Sequence, residues 1–400
     1  MKHIHTSHAL SVAAMVRLAA LDESIRPCAT ERVLALPQAC LLTGATGFVG
    51  AFLLAELLHR QSGDVYCLVR ADDEQHALRR ILASQTAYGL RTTPHQARIH
   101  AVPGDLGQPL LGLSRNAFDD LHHHIGSIYH CGAQVNWTAS YADLAAPNVE
   151  GTQEILRLAV AGAPTRPVHH ISTVGVFSSP HNNWIRVNEA TNLHDSGPLT
   201  TGYAQTKWVA EQMVHTAHRR GTPVTIHRIN TGGHSVTGQF NRLDHLPLLI
   251  RACTEAELAP DHLPLPVQPA PIDYVARAIV QLAARHENRG STFHLVNDQV
   301  MTWPWLFACV RAYGYRLSTV PLDEWIRRMT TDGAASNRKG PGQLAPFLRA
   351  AASSSALPIS DSTTTRNALR ESGLHCPPLT PALIRTYMDQ LTGSGYLAPP

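Results

Sequence analysis

Between residues 39 and 228, short apolar runs alternate with longer amphipathic stretches. Ala39–Thr43, Val65–Val69, Arg98–Val102, Ser127–His130, Val168–Ser172 and Pro223–Arg228 each read as a buried strand. Helical spacing fills the intervals, at 48–59, 73–88, 144–161 and 203–220. Strand and helix in strict alternation predict an α/β protein built on a doubly wound parallel sheet. After residue 240 the pattern breaks at the prolines of 260–271. A helix over 272–285 and a strand over 292–296 then return to the sheet. From Thr302 the pattern is helical with polar interruptions, and the Ser/Thr/Ala-rich 350–365 reads as a mobile loop. The expected organisation is therefore a lead-in at 1–38 and a nucleotide-binding domain at 39–240 that recruits 270–298. A smaller, mainly helical lobe at 241–400 completes it.

Composition narrows the classes. Among 400 residues, 44% are hydrophobic and 16% charged, against an average of about 25% charged, so a disordered chain is excluded. A net charge of +3 is too even for a dedicated nucleic-acid or membrane-surface binder. No apolar run reaches the roughly 18 residues a spanning helix needs. The stretch from Ala9 to Leu21 is mildly signal-like but lacks a clean cleavage site, and an amphipathic surface helix fits it better. Seven scattered cysteines without CxxC spacing point to a reduced, cytoplasmic protein. Adjacent residues diverge on a helix or a strand, so neither His122-His123-His124 nor His169-His170 forms a chelating face, and no metal site is expected.

Candidate chemistry begins at Thr43-Gly44-Ala45-Thr46-Gly47-Phe48-Val49-Gly50, where the first strand meets the first helix. Gly44 and Gly47 let backbone N–H groups approach a pyrophosphate at a helix N-terminus, and Gly50 lets the helix pack on the sheet. This is the Rossmann-type arrangement. The second strand ends in Arg70, whose planar fork suits a 2′-phosphate, with Arg80 placed to close over the same group. NADPH is the cofactor so indicated. Asp72 and Asp73, just beyond, are the competing partners for an unphosphorylated ribose.

Tyr203 and Lys207 lie four apart at the start of a helix and share a face. An ammonium beside the phenol is expected to lower its pKa toward a useful acid–base range. Thirty of the 33 basic residues are arginine, so a lysine here points to a required compact ammonium. A strand-end hydroxyl completes the set, with Thr173 favoured over Ser172.

These residues resemble the extended short-chain dehydrogenase/reductases. More closely, they are similar to the thioester reductase domains of nonribosomal peptide synthetases and carboxylic acid reductases. Beyond the glycine loop, the resemblance rests on segments 66–71, 104–106, 129–137, 148–152, 171–173, 202–211, 271–275, 373–378 and 395–397. It runs from about Leu21 to Pro400. The segments Val135-Asn136-Trp137 and Lys207-Trp208-Val209-Ala210-Glu211 make it more specific than the general dehydrogenase pattern.

The resemblance implies a catalytic set of Thr173, Tyr203 and Lys207. Gly44, Thr46, Gly47, Phe48 and Val49 would hold the pyrophosphate, Arg70 and Arg80 the 2′-phosphate, and Asp105 and Leu106 would flank the adenine. It also implies reductive release of an acyl or peptidyl thioester from the phosphopantetheine arm of a carrier protein, as an aldehyde or onward to the alcohol. Two departures stand out. Arg228-Ile229-Asn230-Thr231 replaces the family's Arg-Pro-Gly run and is one residue shorter, and only about forty residues precede the reductase. The rivals are an extended dehydrogenase acting on a sugar nucleotide or hydroxysteroid-like alcohol, a non-catalytic NADPH-binding regulator, and a redox-neutral cyclase.

Overall fold

The computed structural model describes residues 9–28, 36–91, 93–179, 186–263, 267–331 and 358–400. Its centre is a seven-stranded parallel sheet: β1 (Cys40–Thr43), β2 (Val65–Val69), β3 (Ile99–Pro103), β4 (Ser127–His130), β5 (Val168–Thr173), β6 (Val224–Ile229) and β7 (Thr292–Leu295). The spatial order is β3-β2-β1-β4-β5-β6-β7, so connectivity reverses between β1 and β4. Each strand expected from the sequence is present, within a residue or two at its ends. Parallel strands covered on both faces explain the near-continuous apolar runs.

Period-two alternation assigns the faces. Leu41, Leu68, Ile128, Val168 and Ile226 face a core that includes Ile155, Trp208 and Val209. Cys40, Leu42, Cys67, Val69 and Ile171 face the opposite core, with Phe52, Leu57 and Ile279. The first face is covered by the helices Gly151–Ala159 and Gly202–Arg219, the second by Phe48–Arg60 and Ile272–Ala283. The helix Val12–Leu18 lies on the first side, burying Met15 in that core and leaving Arg17 exposed.

Three local features differ from the sequence reading. The stretch read as one helix over 144–161 is a composite: Tyr141–Ala145, a π turn at Ala146–Glu150, then Gly151–Ala159. Pro147 sits inside it, has no N–H to give and crowds the preceding turn, which the wider π turn accommodates. The reading of 350–365 as a loop is corrected where the structure describes it. Ile359–Ser360 pairs in parallel with Arg186–Val187, and Thr363–Leu369 is a helix packed on the sheet; residues 350–357 lie outside the described residues. Thr365 anchors that helix, accepting from the His294 amide and donating to Glu189. The helix Arg115–His124, unforeseen among its polar residues, is capped by Ser114 and buries Phe118, Leu121 and His122.

The helices His245–Ala256, Trp303–Tyr313, Leu322–Thr331 and Pro381–Gly393 form a separate core around Trp303, Trp325, Tyr387 and Met388. This helical body stands beside the carboxyl edge of the sheet. Trp303 and Val267 belong to its core and also line the cavity that opens there.

Candidate active site

Gly44 has φ +78°, and a Cβ on it would lie 2.8 Å from the Gly132 nitrogen. A Cβ on Gly50 would come within 2.0 Å of the Gly44 carbonyl oxygen. The loop therefore holds the end of β4 on one side and the first helical turn on the other, and both glycines are sterically required. The helix Phe48–Arg60 starts at Gly47 with no side-chain cap, so its first-turn N–H groups have no side-chain acceptor there. A cradle that a side chain would fill, beside an uncapped helix N-terminus, fits the pyrophosphate of a dinucleotide.

Behind the loop is a buried polar chain. Thr43 Oγ1 accepts from the Gly132 amide at 2.8 Å and lies 2.9 Å from His130 Nδ1. His130 Nε2 is 3.0 Å from Thr152 Oγ1. Burial, with Lys207 nearby, lowers the His130 pKa to about 3, so this ring is a neutral bracket between the end of β1 and the helix Gly151–Ala159. Asn148, in the π turn, accepts from the Gln134 amide at 2.7 Å and donates to the Gln134 carbonyl and Thr206. It fixes the segment after β4, a role that the sequence reading did not assign.

A cavity of about 470 Å³ opens at this edge. It brings together Gly44, Thr46, Gly47, Phe48 and Val49 with Thr173, Tyr203 and Lys207, and with Trp137 and Ile229-Asn230-Thr231. Asn230 and Thr231 prolong β6: Asn230 donates to the Leu295 carbonyl and accepts from the Ala270 amide, and Thr231 bridges Ala270. The shortened run is thus held in the extended backbone of the sheet. Arg228, preceding it, lies away from the cavity, buried against Glu211 at 2.6 Å.

Thr173 and Ser172 differ in their engagements. Ser172 donates to Glu211 at 2.5 Å. Thr173 accepts from the Gly175 amide at 3.1 Å, which leaves its own hydroxyl proton for the cavity.

Tyr203 stands at the start of its helix, with Trp137 edge-on to its ring at 5.8 Å. The expectation that Lys207 lowers this phenol is not met. Burial raises the Tyr203 pKa, with Cys131 and Asp244 adding to the rise. Lys207 Nζ instead donates to the Ile171 carbonyl at 2.8 Å and lies 3.4 Å from His170 Nε2. Burial lowers the ammonium to about 8.

Arg70, Arg80, Asp105 and Leu106 are not in this cavity but along the same edge. Arg70 is exposed, and Arg80 donates from Nη1 to the Arg70 carbonyl. Asp73 caps the helix Glu74–Ala87, and the exposed Asp72 pairs with His76 at 3.2 Å. Asp105 closes a turn onto the Gly107 amide, while Leu106 packs where Gly132 and Gly151 leave room. In the histidine runs, His122 is turned to the Leu158 carbonyl at 2.8 Å. Among the described residues, no cluster of His, Cys, Asp or Glu side chains is arranged to hold a metal ion.

A doubly wound sheet, a glycine-lined helix start and a Thr/Tyr/Lys cavity at its carboxyl edge define a nicotinamide-dinucleotide oxidoreductase of the extended short-chain dehydrogenase/reductase type. The family model described as "Male sterility protein", an NAD-binding family, matches residues 42–279. The terminal R domain of the myxalamid PKS-NRPS pathway superposes with a TM-score of 0.90 and 40% identity, covering 97% of this chain and 99% of that one. A linear gramicidin synthase protein of Brevibacillus parabrevis is 37% identical over 90% of this chain, which spans 7% of that protein. The L-2-aminoadipate reductase of Penicillium chrysogenum is 30% identical, in its large subunit, over 94% of this chain, which spans 28% of it. The chain belongs to the terminal reductase domains of nonribosomal peptide synthetases, and it is an oxidoreductase that uses a nicotinamide dinucleotide. Among the described residues, no helix is long and apolar enough to cross a membrane.

Proposed function

We propose that this chain reduces an acyl or peptidyl thioester, carried on the phosphopantetheine arm of a carrier protein, with NADPH, and releases the aldehyde. The carrying observation is the convergence of Thr173, Tyr203 and Lys207 on one cavity with the glycine loop. The dinucleotide supplies a hydride to the thioester carbonyl carbon. Thr173 and Tyr203 donate hydrogen bonds to the oxygen as it gains charge, and Tyr203 gives up its proton there. A phenol held protonated by burial is in the right state for a reduction, because its work is to donate. Lys207, held by the Ile171 carbonyl, keeps a positive charge at the base of the cavity below a pH of about 8.

Gly44, Thr46, Gly47, Phe48 and Val49 would hold the pyrophosphate, and Asp105 and Leu106 would lie by the adenine. The preference for the 2′-phosphate rests on Arg70, exposed at the end of β2 and backed by Arg80. The rival acids are already engaged, Asp73 as a helix cap and Asp72 with His76. The helical lobe after residue 240 would receive the acyl chain and the carrier. A reducing, cytoplasmic setting agrees with Cys40, Cys67, Cys131, Cys253, Cys309 and Cys376, none of which is in a disulfide. The test is to incubate purified protein with NADPH and an acyl-phosphopantetheine thioester, following NADPH loss and products. Equal moles of aldehyde and free thiol support the reading; no NADPH loss with the thioester, together with NADP+ reduction by alcohols or sugar nucleotides, would replace it with the dehydrogenase rival. A carrier-loaded thioester should show a higher kcat/KM than a short pantetheine mimic.

A further inference from the structure

Reduction of a thioester leaves a second chemical problem, which Thr173, Tyr203 and Lys207 do not solve. The hemithioacetal must expel an alkyl thiolate, a poor leaving group unless it is protonated as the C–S bond breaks. The cavity contains one more acid–base pair. Asp244 and His245 both line it, with His245 Nδ1 at 2.6 Å from Asp244 Oδ1. Trp137 joins this pair to the catalytic tyrosine, standing edge-on to Tyr203 at 5.8 Å and to the His245 ring at 6.3 Å.

His245 is the first residue of the helix His245–Ala256, and Asp244 is its N-cap. A cationic ring at a helix N-terminus is opposed by the helix dipole, so helix stability does not account for it. Asp244 offsets that penalty and holds the Nδ1 proton, which directs Nε2 away from the carboxylate. Burial disfavours the imidazolium, but Asp244 outweighs it and the net pKa shift is upward. The other titratable groups of the cavity are Tyr203, Lys207 and Cys131. Only His245 among these pairs directly with a carboxylate.

We propose that His245, held by Asp244, is the general acid that protonates the departing pantetheine sulfur, a step that rests on the thioester-reductase reading above. In the first step hydride adds to the carbonyl carbon and Tyr203 protonates the oxygen, giving a neutral hemithioacetal and a tyrosinate. In the second, the tyrosinate takes back the hydroxyl proton while the C=O bond forms and the C–S bond breaks. His245 delivers its Nε2 proton to sulfur. The products are aldehyde, thiol, the oxidised dinucleotide, neutral His245 and restored Tyr203; one proton taken up from solvent restores the imidazolium.

The experiment compares two thioesters of the same acyl group in the His245→Gln variant with NADPH, one of pantetheine and one of an aryl thiol. An aryl thiolate leaves without protonation, so the proposal expects the ratio of pantetheine to aryl turnover to fall at least tenfold relative to the unaltered chain. Asp244→Asn retains a capping side chain but removes the carboxylate, and it should lower the same ratio. An equal loss on both thioesters, with NADPH binding intact, would make His245 structural and overturn the proposal, as would an unchanged ratio. If the unaltered chain oxidises NADPH with neither thioester, the thioester-reductase reading fails first, and this proposal with it.

Discussion

Lys207 and Glu211 stand one turn apart on the helix Gly202–Arg219, both buried against the same face of the sheet, and their surroundings are opposite. Glu211 is saturated. Arg228 donates to it twice, at 2.9 and 2.6 Å, Ser172 donates at 2.5 Å, and His215 lies 3.6 Å away. Burial alone would raise its carboxyl, but Arg228 and His215 hold it well below the usual carboxylate range. Lys207 has a carbonyl and a neutral histidine beside it but no paired carboxylate, and burial depresses it to about 8. A charge fully matched inside the protein ties strands to a helix; one left partly unmatched at a cavity is available for chemistry.

Removing either residue should separate these roles, starting with the larger effect. Glu211→Ala strands the Arg228 guanidinium, which is 1% exposed, and should cost about 3–5 kcal/mol. Denaturant titration would show it as a lowered midpoint. Lys207→Met should change stability by about 1 kcal/mol or less, since it removes a charge that burial already disfavours. A severe stability loss from Lys207→Met would make the two residues equivalent and dissolve the contrast.

Lys207→Arg keeps the charge but not the compact donor. It should lower turnover roughly a hundredfold, within the usual range for acid–base machinery, with the unfolding midpoint little changed. Arg70→Ala tests the other end of the sheet edge. The expected preference for NADPH over NADH is at least about tenfold, or 1.4 kcal/mol. This variant should erase most of it while NADH turnover stays nearly constant. Equal loss with both cofactors would mean that the 2′-phosphate is read elsewhere.

The smallest effect is on pH. A group lowered to about 8 carries its charge below that value and loses it above, so turnover should be roughly halved near pH 8 and decline further. Between about 8 and the unfolded lysine value the unfolded chain binds the extra proton, so the contribution of Lys207 to stability rises with pH there. Activity and stability should therefore diverge through this window; a flat activity profile would remove Lys207 from the charged machinery.

The two halves of the molecule were unequally legible in the sequence. Seven buried strands such as Val65–Val69 and Val168–Thr173 announce themselves as apolar runs because both faces are covered. The two-residue pair Arg186–Val187 with Ile359–Ser360 is too short to carry any period. Thr363–Leu369 hides in Ser/Thr-rich sequence because tertiary bonds through Thr365 hold it there. At the site, Gly44, Gly47, Tyr203 and Lys207 are marked by spacing. Asp244 and His245 are not, since they reach the cavity from a distant segment, nor is Asn148, which acts from behind it through Gln134 and Thr206. Asp244 is the N-cap of the helix His245–Ala256, and an Asp before an apolar run marks a helix start without pointing to a cavity. The direction of the Tyr203 shift could not be read either, because it depends on where Lys207 Nζ is tethered.

The central claim is that Tyr203 donates the proton that accompanies hydride transfer to a thioester carbonyl. Single-turnover NADPH oxidation by Tyr203→Phe, with an acyl-pantetheine thioester and with NADPH binding measured in parallel, tests it most directly. The account predicts a loss of about a hundredfold or more, within the range for general acid catalysis, with NADPH affinity retained. Full-speed oxidation by Tyr203→Phe would contradict it.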